Sequence, residues 1–160
     1  MAEYDKPRNK LQLPEGLGPR DPVQELPEPD RAHIKRMRED LARKIDSWQL
    51  RKGDDHSPKI DAALKNLLLR GYDDLINAAA ITHTPDPELE DGKHNHPQVG
   101  AASQFMTHVM ESDQLRVHFR SHHAREVVAR DLVGSVIAHT VHVASDINLR
   151  MHMPIGMFRD

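Results

Sequence analysis

Residues 30–81 read DRAHIKRMREDLARKIDSWQLRKGDDHSPKIDAALKNLLLRGYDDLINAAAI, and the spacing of their apolar residues decides the fold class. In the first half Ile34, Met37, Leu41, Ile45 and Trp48 recur at steps of 3, 4, 4 and 3, the period of one helix face. Asp30 is suited to cap that helix, and Lys52-Gly53 supplies a basic last turn and a stop near residue 52. The second half opens with Ser57 as cap and Pro58 at the first helical position. Ile60, Leu64, Leu67, Leu68, Leu75, Ile76 and Ala79 then form an apolar face reaching about Ile81. Gly71 lowers this helix's propensity by about 1 kcal/mol relative to alanine, which implies a close contact or a bend. The short link between the two predicts an antiparallel helical hairpin.

Outward from the hairpin the pattern changes on both sides. Six of the eleven prolines fall within residues 1–29, at 7, 14, 19, 22, 27 and 29. Proline has no amide donor and a fixed φ, so this stretch predicts an extended arm. Only isolated apolar residues such as Val23 and Leu26 interrupt it. An arm of this kind has little to bury on its own domain and suits a partner subunit. Residues 82–97 hold Pro, Gly and acids and predict a long loop. Helical spacing resumes at Gln98 with Val99, Ala102, Phe105, Met106, Val109 and Met110. Ser112 or Asp113 offers a new cap, and residues 113–150 predict one long or broken helix with Val128, Leu132, Val136, Val143 and Ile147 as its stripe. Leu115–Phe119 alternates and also suits a short strand, and Gly134 is a candidate break. Pro154 and Gly156 close that helix and leave a Met-rich tail over 151–160.

The expectation is an all-α small helical bundle over 30–150, with an N-terminal arm over 1–29. Composition agrees: hydrophobic residues are 38% but aromatics only 4%, which favours aliphatic helix packing over a β-sandwich. No uninterrupted run of about 18 apolar residues predicts a membrane span. The absence of cysteine excludes disulfides and thiolate metal sites. The start, Met1–Asp5, lacks a signal-peptide pattern, so the cytoplasm, or a virion assembled there, is the expected location. The net charge of −3 is too small to mark a polyionic partner, although residues 31–52 are basic and residues 53–98 acidic. Mutual neutralisation of those two segments is the plainer reading.

Twelve histidines, ten of them after residue 82, are the strongest chemical feature. His139, His142 and Asp146 fall within about 60° of one another on a helix and form a 2-His-1-carboxylate set, which suits a divalent transition metal such as zinc, manganese or iron. Against this, three ligands from one helix rarely converge on one ion. His118, His122 and Glu126 repeat at i, i+4 and i+8, a spacing that can chelate a metal but is crowded by Arg120, Arg125 and Arg130. His94 and His96 alternate in the long loop. No phosphate-binding, nucleophile-elbow or zinc-protease motif accompanies these residues.

The first helix carries Arg31, Lys35, Arg36, Arg38, Arg43 and Lys44, of which Lys35, Arg36 and Arg43 are candidate phosphate contacts for a nucleic acid. Neither aromatic interleaving nor a helix-turn-helix spacing supports them. The reading the sequence favours is a non-enzymatic structural or interaction subunit of a larger assembly. Its partners would be other protein subunits in a homo-oligomer or hetero-complex, reached through the arm and the tail. Virion connectors, capsid-associated proteins and accessory subunits all share this compositional profile.

Overall fold

The computed structural model describes residues 21–50, 57–83 and 97–151. They form five helices: α1 Glu28–Asp46, α2 Ala62–His83, α3 Pro97–Met110, α4 Asp113–His118 and α5 His122–Asp146. The all-α small bundle is what the periodicity required. Residues 1–20 of the expected arm, the loop histidines His94 and His96, and most of the Met-rich tail lie outside the described residues.

Helix α1 begins at Glu28, two residues before the expected cap, with Pro27 at the N-cap and Pro29 inside the first turn. Proline is tolerated there because the first amides of a helix have no intrahelical acceptor. The helix ends at Asp46, well short of Lys52. The Ser47 hydroxyl donates to the Lys44 carbonyl at 2.7 Å, and Trp48 leaves the helix. Residues 49 and 59 then form an isolated antiparallel bridge, and the Leu50 amide donates to the Pro58 carbonyl. Ser57-Pro58 is therefore extended chain and not a helix start. The cap of α2 is Asp61, whose carboxylate accepts from the Leu64 amide at 2.8 Å. A Ser-Pro pair and an Asp four residues later carry the same type of signal, and pairing with residues 49 and 50 decides between them.

Helices α1 and α2 run antiparallel, as expected. The Tyr72 hydroxyl donates to the Ile34 carbonyl at 2.8 Å, Arg38 pairs with Asp73, and Lys65 pairs with Asp46. Helix α3 lies along α2. A methyl group at Gly71 would collide with the Phe105 ring, so the glycine marks a close contact and not a bend. Gln114 of α4 accepts from the Asp61 amide and donates to the Lys59 carbonyl, which fastens α4 beside the start of α2.

The 113–150 stretch is a broken helix. Leu115–Phe119 is helical up to His118, so the strand alternative fails there. Phe119 takes an extended conformation and is buried, and Ser121 caps α5 by accepting from the Ala124 amide at 3.0 Å. Arg125 reaches back and donates to the Phe119 and Arg120 carbonyls at 2.8 and 3.0 Å. The break therefore falls at Phe119–Arg120, whereas α5 continues through Gly134. Its end is set by Asn148 at φ 62°, a left-handed residue after the last turn, with the Leu149 amide donating to the Ala144 carbonyl.

One core joins Leu41, Ile45, Leu64, Leu68, Tyr72, Leu75, Phe105, Val109, Leu115 and Val136. Fully burying each such side chain is worth about 1.5–3 kcal/mol. A smaller cluster of Ala79, Ala80, Ala144 and Leu149 receives Val23, Leu26 and Met151. Residues 22–26 form a turn with Pro22 buried. This portion of the N-terminal stretch is thus neither extended nor free of its own domain, because its few apolar residues find the C-terminal end of α5.

Candidate functional site

His139 sits where α5 crosses α1, and both of its ring nitrogens are engaged. Nε2 lies 2.8 Å from the Met37 carbonyl, and Nδ1 lies 3.3 Å from the Lys44 ammonium. A carbonyl only accepts and an ammonium only donates, so the proton resides on Nε2 and Nδ1 is bare. The residue is 7% exposed, and its ring stands 5.9 Å from the Tyr72 ring at a tilt of 54°. Burial pushes the His139 pKa below the ordinary histidine value, and Lys44 and His142 add to that. The Met37 carbonyl and Asp40 act against it. Burial likewise pushes the Tyr72 phenol up, with Asp73 adding to the effect and Arg38 opposing it.

The rest of the expected metal set is dispersed. Asp146 does not face His139: its carboxylate accepts from His33 of α1 at 2.9 Å. His142 is exposed. His118 ends α4 and His122 begins α5, both exposed, and Glu126 pairs with Arg130 at 3.3 Å. His122 lines an open cavity of about 760 Å³ with Thr107, Met110, Glu111, Arg116 and Arg125. Among the described residues no three His, Asp or Glu side chains are grouped so that they could hold a metal ion. The i, i+3, i+7 spacing shares an arc of helix surface, and neighbouring α1 takes His139 and Asp146 for different purposes.

The basic face of α1 is also largely occupied. Arg38 makes a two-pronged contact with Asp73, its Nε at 2.8 Å and its second nitrogen at 3.0 Å. Arg43 and Lys44 approach Asp40 at 3.4 and 3.5 Å, Arg36 approaches His33 Nδ1 at 3.4 Å, and Arg31 donates to Gln24. Lys35 projects into solvent. Arg38–Asp73 pairs a cation of the basic segment with an acid of the acidic one across the hairpin, whereas Lys65–Asp46 joins the two segments the other way round.

What sequence reasoning missed is the outer face of α5. The helix buries Ala129, Leu132, Val133, Val136, His139, Thr140, Val143 and Ala144. Its opposite side carries Val127 at 54% and Val141 at 40% exposure, with Ala138 and Ser145 also exposed. Nothing lies within 4 Å of a side chain built at Gly134. By length and composition α5 is apolar enough to cross a membrane, but half of that window is buried inside the bundle. The signal was available: apolar residues surround α5, where α1 confines them to one stripe. The chain matches no family model, and no characterised protein or solved structure is significantly similar to it.

Proposed function

We propose that this protein is a non-enzymatic interaction subunit of a larger protein assembly, docking through the outer face of α5. The observation that carries the reading is that face: two exposed valines, a glycine and an alanine on the helix whose other side forms the core. Scattered exposed apolar residues are ordinary, but here four small or apolar residues share one helix face, interrupted by the exposed Asp131, and such a face suits a contact surface. The histidine chemistry supports the same reading from the other side. His139 and His33 are used to hold α1 against α5, which leaves the strongest sequence candidate for a metal without a free ring nitrogen. Of the cations considered for a nucleic acid, Arg43 pairs with Asp40 of the same helix and Arg36 approaches His33, which weakens that reading.

Native mass spectrometry of extracts from the cells that make the protein tests this reading. The wild-type chain is expected in a stoichiometric complex with defined protein subunits. A chain carrying Val127→Asp and Val141→Asp should leave that complex while melting at an unchanged temperature, since both side chains are exposed. A complex that survives the double substitution sinks the reading. So does one stoichiometric metal per chain that His139→Ala removes.

A further inference from the structure

We propose that the cavity where α3, α4 and α5 meet binds a small sugar phosphate, with Arg116, Arg125 and His122 holding the phosphate and Glu111 the sugar hydroxyls. The site goes beyond the docking reading above and shares no residue with the outer face of α5. The cavity measures about 760 Å³, within the range of about 300–1,000 Å³ of ordinary ligand sites. Thr107 and Met110 of α3, Glu111 just beyond it, Arg116 of α4, and His122 and Arg125 of α5 line it.

The break between α4 and α5 sets these groups around one space. Leu115 and Phe119 are buried in the core and fix the corner. Arg125 turns back and donates to the Phe119 and Arg120 carbonyls at 2.8 and 3.0 Å, both from Nη1. Those bonds hold the guanidinium in place and leave the donors on Nε and Nη2 for a ligand. Among the described residues no carboxylate pairs with Arg125, and the Arg116 side chain makes neither a hydrogen bond nor an ion pair. Glu111 borders the same cavity yet pairs with neither arginine. The nearby acids do not fill the gap: Glu126 is held by Arg130, and Asp113 borders a neighbouring cleft beside His108, which Glu111 also touches.

Opposed groups that line one space without closing on each other suit a ligand that satisfies both. Two guanidinium groups and an imidazole against one carboxylate favour an anion, and the arginine fork matches phosphate oxygens two at a time. Helix α5 has no acidic residue in its first turn, so its dipole and the cations His122 and Arg125 repel one another until an anion lies between them. Glu111 decides the rest of the ligand. A carboxylate repels a bare phosphate but accepts from hydroxyl groups, and the cavity has room for a sugar beside the phosphate.

Titration calorimetry of the full chain at constant ionic strength, with ribose 5-phosphate, glucose 6-phosphate, inorganic phosphate and ribose, tests this. At least one of the two sugar phosphates is expected to bind once per chain, about tenfold or more tighter than inorganic phosphate, with no heat from ribose. Arg116→Gln should weaken that binding by about tenfold or more. Its melting temperature should not change, because the side chain is exposed and holds nothing. Glu111→Ala should close the gap between sugar phosphate and inorganic phosphate. Lys35→Gln, which removes a solvent-facing cation of α1, should leave binding as it was. An equal loss in Lys35→Gln would reveal diffuse charge attraction and overturn the site. So would no binding of either sugar phosphate, or binding that Arg116→Gln leaves intact. Tighter binding of vesicles containing phosphatidic acid than of either sugar phosphate would assign the phosphate to a lipid headgroup and overturn the sugar.

Discussion

Gly71 and Gly134 both sit in the middle of a long helix, and a side chain added to each would meet opposite surroundings. At Gly71 it would strike the Phe105 ring; at Gly134 it would find open space. Sequence reads the two alike, as helix weak points. In the fold one marks the sealed seam between α2 and α3, and the other marks the open face of α5. A glycine retained in a helix despite its propensity has a local reason in the first case. In the second no such contact lies among the described residues.

The largest expected effect breaks this comparison at its sealed end. Gly71→Leu must displace an aromatic ring inside the core and should destabilise the fold by about 3 kcal/mol, the upper range for overpacking. Chemical denaturation measures it, and a near-neutral result would mean that the seam can open. His139→Ala should follow at about 2 kcal/mol, because it removes packing against Tyr72 and the link to Met37 together. At the open end Gly134→Ala should raise stability by about 1 kcal/mol in dilute protein, from helix propensity alone. Loss of stability there would show that the outer face is covered within the monomer.

The histidine joint adds a pH signature to the sealed side. The folded pKa of His139 is depressed below its unfolded value of about 6.5, so the unfolded chain binds the extra proton between the two. The contribution is fully present above the unfolded value and is lost as pH falls through the window beneath it. Burial is the main cause, and Lys44 and His142 strengthen it while Asp40 opposes it. Asp74, raised chiefly by burial, acts in the opposite direction at lower pH. The fall in melting temperature between neutral and mildly acidic pH should therefore be smaller in His139→Gln, which cannot titrate, and thermal melts across that range check it.

How far the sequence reached follows from the same contrast. The stripe of α1 is unambiguous because, apart from Pro29 and two alanines, every helix residue off it is polar, so its apolar face names the side that is buried. The apolar residues of helix α5 fall on all sides of it, so periodicity could show a helix but not which half faced the core. Sequence pointed to Ser57 as the cap, and the pairing of residues 49 and 59 moves the start of α2 to Asp61. The metal set failed to assemble for a reason outside its own helix. His33 and Met37, about a hundred residues earlier, take Asp146 and His139. Shared helical face is a local property that sequence carries, whereas the competing partner is a property of the fold.

The smallest expected effect sharpens the account of what holds α1 in place. Arg38 and Asp73 make the best-formed ion pair across the hairpin, with two contacts at 2.8 and 3.0 Å. The hydrogen bond to Asp73 holds the Arg38 pKa above its ordinary value, against the effect of burial. Both side chains are nevertheless more than 40% exposed, so water and salt screen most of the attraction. A double-mutant cycle with Arg38→Ala and Asp73→Ala should return a coupling of about 0.5–1 kcal/mol that shrinks as salt is added. If α1 is held by Leu41, Ile45 and the His139 joint, removing this pair leaves the hairpin folded. A coupling as large as the loss on His139→Ala would instead make the charged face of α1, and not its apolar stripe, the principal attachment to the bundle.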